Sequence, residues 1–281
     1  MIKDYSALLL SLSKGANATN DVGDLGVRVV LDAGANIGLA SRLFARFFGP
    51  DTTVVGIEAQ RDNHALARLN NEGSANVRVM HAALGSPHGP HWLTLRGGGQ
   101  GREYGYTTVD TSHAEELGGG QASSASGEVQ RVRKVNVPQL LHALCLPSID
   151  FLKLDIEGGE VELLQAANTT SLQAEGEPGV HPFAAGGELE WLTHVRYAIV
   201  ETHETGLPGA DAREMRVYRL TLHALRAAGM TVLKSSVRGE SGLIACGSML
   251  PATECARVCE RLMDLDVRVY GQRGRFRCWM A

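Results

Sequence analysis

The sequence predicts an α/β fold: a doubly wound, mostly parallel sheet closed by an antiparallel C-terminal hairpin. Three observations carry the prediction. Short β-branched apolar runs alternate with segments of about a dozen residues whose apolar side chains recur at helical spacing. The first run ends in a glycine-containing turn, "VVLDAGANIGLA" at 29–40, that opens directly into such a segment. Near the C-terminus two strand-like runs, "MTVLKSSV" and "SGLIACGSM", are separated only by a polar turn at Arg238 to Ser241. Strand and helix in alternation build βαβ units and hence a parallel sheet, while a short connection can only join antiparallel neighbours.

Residues 1–26 form a lead-in segment. The apolar run Ala7 to Leu12 is short and preceded by one Lys and one Asp, which fits an amphipathic helix better than a secretory signal. From residue 27 onward a single domain is expected to run to residue 281. "VRVVLDAGA" reads as a strand, "IGLASRLFARFFG" as a helix ended by Gly49-Pro50, "TTVVGIEA" as a strand, "RDNHALARLNNEG" as a helix and "NVRVMHAALG" as a strand. "PHWLTLR" alternates like a half-exposed strand. The Gly- and Ser-rich stretch at 97–130 is then expected to be a mostly irregular insertion. "VPQLLHALCL" resumes as a helix, "SIDFLKLDIE" as a fourth strand and "GGEVELLQAA" as a helix. A second insertion lies near 172–190. "VRYAIVETHE" is a fifth strand, and "AREMRVYRLTLHALRAAG" is the clearest amphipathic helix before the closing hairpin.

Composition narrows the function classes. At 44% hydrophobic and 21% charged the chain has the balance of a soluble globular protein, and its net charge of −4 gives no reason to expect nucleic acid as a partner. No apolar run is long enough to span a membrane. The five cysteines are odd in number and contain no C-x-x-C pair, so neither a disulfide framework nor a zinc ribbon is expected, and a reducing, cytoplasmic location follows. Cys255 and Cys259 lie one helical turn apart but lack a neighbouring histidine cluster.

The first turn carries the chemistry. Its pattern, Asp32-x-Gly34-x-Asn36-x-Gly38, does not match the G-x-G-x-x-G spacing that lets a backbone approach a pyrophosphate. Gly34 accepts positive φ without steric cost, and Asn is the non-glycine residue most tolerant of that region, so the turn stays tight. An acid at Asp32 beside the ligand disfavours a pyrophosphate and suits an ammonium or sulfonium charge. Glu58 ends the second strand, placed to accept hydrogen bonds from both hydroxyls of an adenosine ribose.

In "LDAGANIG", "GIEA", "NVRVMHAALGSPHG" and "IDFLKLDIEGGEVELL" the chain resembles the FkbM family of class I S-adenosylmethionine-dependent methyltransferases. The resemblance covers residues 27–96 and 132–203, and "FLKLDIEGGE" is its most specific block. It implies a Rossmann-like seven-stranded domain and methyl transfer, commonly to oxygen. It implies further that Asp32, Gly34, Asn36 and Gly38 line the methionine end of the cofactor, Glu58 the ribose, and the backbone at Ala82 and Ala83 the adenine. The chain reads "VNVPQLLHAL" where family members often have Thr-Leu-Asp, and both insertions lie outside the resemblance.

Residues two apart on a strand share a face, so Lys153, Asp155 and Glu157 point one way, as do Glu201 and His203. If the fourth and fifth strands are neighbours, these groups gather at the sheet's ligand-binding edge. Two mechanisms use them. His203 or Asp155 takes a proton from an acceptor hydroxyl attacking the methyl group in line. Alternatively Asp155, Glu157, Glu201 and His203 supply ligands to a divalent ion that holds the acceptor oxygens. The expected function is O-methylation of a small molecule or glycan. N-methylation of a small molecule or protein, and a non-catalytic adenosyl-binding or scaffold protein, are the rivals.

Overall fold

The fold is described from a computed structural model, which covers residues 26–88, 90–96, 107–110, 129–156, 159–165, 189–201, 210–237, 240–247, 250, 253, 255 and 277–280. Residues 1–25 of the lead-in segment and 172–188 of the second insertion lie outside these residues. The strands are β1 (Val29–Ala33), β2 (Thr53–Glu58), β3 (Val77–His81), β4 (Ala83–Leu84), β5 (Trp92–Arg96), β6 (Thr107–Asp110), β7 (Val129–Val135), β8 (Ile149–Leu154), β9 (Val195–Glu201), β10 (Thr231–Val237), β11 (Glu240–Cys246) and β12 (Arg277–Met280). The helices are α1 (Leu39–Phe48), α2 (Arg61–Asn70), α3 (Val137–Leu144), α4 (Glu160–Gln165) and α5 (Ala210–Ala227), with a 3₁₀ turn at Glu190–His194.

The main sheet runs β12-β10-β11-β9-β8-β1-β2-β3. β3, β2, β1, β8 and β9 are mutually parallel, and the β10–β11 hairpin inserts β11 antiparallel against β9. This is the expected mostly parallel sheet of seven strands with its C-terminal hairpin. An eighth strand, β12, is added at the edge, antiparallel to β10. Chain order reverses between β1 and β8, so the crevice beyond their carboxyl ends is the switch point where such sheets bind ligands.

Every residue of β1 is buried, as a strand covered on both faces requires. Val30, with Phe151 and Tyr197, packs under Phe44 and Phe48 of α1, whose rings lie 5.2 Å from Phe151. Leu31, Leu152 and Leu154 face the other way, toward Leu163 and Leu164 of α4 and Ala224 and Leu225 of α5. α3 is capped by Asn136, whose side chain accepts a hydrogen bond from the Gln139 amide at 2.9 Å.

A second, four-stranded sheet runs in the order β4-β7-β5-β6; β6 and the first two residues of β7 fall within 97–130, and the remainder of that stretch lies outside the described residues. The disguise is chemical. In β7 the buried side chains Gln130, Val132 and Lys134 are mostly polar, while Arg131 and Arg133 face outward, so apolar alternation is absent from a strand that is buried on one face. A disulfide joins Cys246 and Cys255, with Cα atoms 5.7 Å apart. This corrects the expectation that the cysteines form no disulfide framework, and with it goes the argument from cysteine usage for a reducing compartment. Cys255 pairs across to the end of β11 because that strand end lies beside it in the core under α1. Among the described residues no helix is long and apolar enough to cross a membrane.

Candidate functional site

The turn after β1 has the backbone its residue types demand. Gly34 has φ 79° and Asn36 φ 50°, both in the left-handed region. The amides of Gly34 and Ala35 both donate to the Ile57 carbonyl, at 3.0 and 2.9 Å, which folds the turn over the end of β2. A Cβ on Gly34 would lie 1.6 Å from the Asp155 carbonyl oxygen, so the turn rests directly on the end of β8. Gly38 is buried against α2, where a Cβ would come within 2.5 Å of Asn71 Nδ2 and 2.9 Å of Ala67, so close helix packing also requires a glycine there.

Glu58 ties the two turns together. One carboxylate oxygen accepts from the Asn36 amide at 2.7 Å and the other from the Gln60 amide at 2.8 Å. Each oxygen keeps a second lone pair for an incoming hydroxyl. The side chain is 92% enclosed, being only 8% exposed, and that burial raises its pKa although the two amides pull it down.

The Asp32 carboxylate is fully buried in the ligand-free chain and accepts from the Ser41 hydroxyl of α1 at 2.6 Å. Lys153 stands over its other oxygen at 3.4 Å. Burial raises the pKa of Asp32, against the opposing pull of Lys153 and Ser41. The group beneath the turn is thus an ion pair between buried Asp32 and partly exposed Lys153. Lys153 also reaches the Gly34 carbonyl at 3.0 Å and Asp155 Oδ2 at 3.0 Å.

At the far end, Ala82 and Ala83 are buried, and the Ala82 amide is already engaged by the Glu58 carbonyl at 3.0 Å. Ala83 is drawn into the second sheet beside Lys134. The open rim here is therefore Ala59 and His81. The His81 Nε2 lies 3.0 Å from the Ala59 carbonyl, its ring stacks on His64 at 5.2 Å, and buried Gln130 bridges the Arg61 amide to His81.

β8 and β9 are neighbours, with Leu154 opposite Val200, so Asp155 and Glu201 end adjacent strands as the spacing requires. Glu157 and His203 lie outside the described residues. Among the described residues no group of three His, Cys, Asp or Glu is arranged to hold a metal. Sequence reasoning passed over Ser41, Gln130 and Glu160. Ser41 was detectable as a polar residue on the buried stripe it shares with Phe44 and Phe48 of α1. Glu160 is fully buried and accepts from the Ile156 amide at 2.8 Å.

The Methyltransferase FkbM domain model matches residues 32–219. No curated protein matches the sequence. Among solved structures the chain is similar to fibrillarin from Aeropyrum pernix with natively bound S-adenosyl-L-methionine, at 13% identity over 86% of this chain and 76% of that one, TM-score 0.39. It is similar to an O-methyltransferase from Bacillus cereus in complex with SAH, at 13% identity over 88% and 91%, TM-score 0.42. A methyltransferase FkbM from Methylobacillus flagellatus shows 13% identity over 78% of this chain and 43% of that one, TM-score 0.39. Family membership rests on the domain match, which spans more than half of the 281 residues and includes both strand-end turns. The chain belongs to the FkbM methyltransferase-domain family.

Proposed function

We propose that the chain transfers a methyl group from S-adenosylmethionine to an oxygen of a small molecule or glycan. The observation that carries the reading is the Glu58 carboxylate, fastened between the Asn36 and Gln60 amides at the ends of β1 and β2 with acceptor capacity left over. Its fit to an adenosine ribose is chemical: vicinal hydroxyls need two fixed acceptors, and an anchored carboxylate supplies them. Gly34 and Asn36, both partly exposed, form the bed beside it, and Ala59 with His81 the rim.

When bound, S-adenosylmethionine supplies a sulfonium-activated methyl group. The chain's own tasks are then to hold the adenosyl end through Glu58, to exclude water, and to take the proton that the acceptor hydroxyl gives up. We assign that last step to His203, with Glu157 and Glu201 orienting the acceptor. Asp155 is a poorer candidate, since its carboxylate is held by Lys153. The divalent-ion mechanism is the competing assignment for the same side chains.

The test is transfer of labelled methyl groups to a panel of hydroxyl and amine acceptors, with and without a chelator. His203→Ala is expected to lower kcat by about 10²–10⁴-fold, the usual contribution of a general base, with chelator-insensitive activity and label on oxygen. Activity that survives both chelation and His203→Ala leaves neither mechanism standing, and label confined to nitrogen overturns the acceptor assignment.

A further inference from the structure

Lys153 stands on β8 opposite Asp32 of β1, so its stem runs under the turn that follows β1. Its ammonium meets the Gly34 carbonyl at 3.0 Å, Asp155 Oδ2 at 3.0 Å and Asp32 Oδ1 at 3.4 Å. These acceptors come from three separate parts of the chain: a strand, the turn above it, and the end of the neighbouring strand. The ammonium donates to the Gly34 carbonyl and lies in ion-pair range of both carboxylates, so one cation can hold all three together. Gly34 is also the residue whose α-carbon rests on the Asp155 carbonyl. The spacing between turn and β8 is therefore set from two sides, by steric contact and by Lys153.

We infer that Lys153 is a positioning residue: it fixes the Gly34 carbonyl and the Asp155 carboxylate relative to one another, and so sets the shape of the cofactor bed. Asp155 then acts as a strut for the bed, not as the proton acceptor. This rests on the S-adenosylmethionine reading above for its functional consequence, although the bracing itself concerns the ligand-free chain. The competing account is that Lys153 only neutralises buried Asp32.

The two accounts separate in variants that remove the buried charge first. Asp32→Asn leaves Lys153 its contacts to Gly34 and Asp155, while Asp32→Asn/Lys153→Met removes both buried charges. The readouts are thermal unfolding, hydrogen exchange of the Gly34, Ala35 and Asn36 amides in ligand-free protein, and calorimetric titration with S-adenosylhomocysteine. The expected result is that both variants fold, that exchange at the three amides stays slow in Asp32→Asn and speeds up at least tenfold in the double variant, and that affinity falls at least tenfold further in the double variant than in Asp32→Asn. Wild-type exchange and affinity in the double variant overturn the inference, leaving Lys153 a charge neutraliser. A double variant that fails to fold where Asp32→Asn folds also overturns it, by making Lys153 a requirement of the fold as a whole. If wild type binds no S-adenosylhomocysteine, the functional reading falls, and the exchange measurement still decides the bracing.

Discussion

Gly34→Ala is expected to abolish adenosyl binding and to be the most destabilising substitution in the first turn. Two independent costs add. A non-glycine residue at φ 79° is strained by about 1–2 kcal/mol. The new Cβ would sit 1.6 Å from the Asp155 carbonyl oxygen, a backbone atom that cannot rotate away. Overpacking costs about 1–3 kcal/mol even where side chains can yield, and here a strand end must move. The strand end that moves carries Asp155, so stability and site geometry are lost together. Chemical denaturation measures the first and calorimetric titration the second. Gly73→Ala, where a Cβ meets nothing within 4 Å, is the control and should stay within roughly 0.5 kcal/mol of wild type. A Gly34→Ala protein of wild-type stability would contradict the placement of this turn on β8.

Glu58→Ala is expected to weaken S-adenosylhomocysteine binding by roughly ten- to a hundredfold, since a hydrogen bond to a charged group is worth about 1.5–3 kcal/mol. It removes the ribose acceptors and at the same time releases the Asn36 and Gln60 amides. The pH dependence gives a second handle with a definite sign. Burial raises the Glu58 pKa above 4.5, so the folded chain holds this proton more tightly than the unfolded chain. Stability contributed through Glu58 is therefore greatest at low pH and is lost as pH rises through the raised folded-state value. The difference in unfolding free energy between wild type and Glu58→Ala should narrow as pH rises from about 4.5 toward neutrality. Affinity should move the opposite way, because the ionised carboxylate is the better acceptor. Denaturation and titration across that range check both, and parallel trends would remove Glu58 from the site.

Much of the fold was legible because the parallel strands are buried on both faces and read as apolar runs, with amphipathic helices between them. The backbone of the first turn was legible too, since residue type alone called for positive φ at Gly34 and Asn36. What stayed hidden depends on partners distant in sequence. Asp32 is a strand-end acid whose partners, Ser41 on α1 and Lys153 on β8, have no local signature. Gln130 and Lys134 turn inward to bond the Arg61 amide and Glu162, so their strand lacked apolar alternation. Gly38 matched a ligand-binding pattern because helix packing and backbone approach both demand a small residue at such turns. β12 lies just past a basic run, and its pairing with β10 leaves no mark on the local sequence.

Calorimetric titration of the chain with S-adenosylhomocysteine, with NAD as comparator, tests most directly whether the paired turns of β1 and β2 hold an adenosyl sulfonium cofactor. Saturable binding of S-adenosylhomocysteine that is weakened by Glu58→Ala, with NAD binding more weakly or not at all, is the predicted result. No binding of S-adenosylhomocysteine, or tighter binding of NAD, would contradict it.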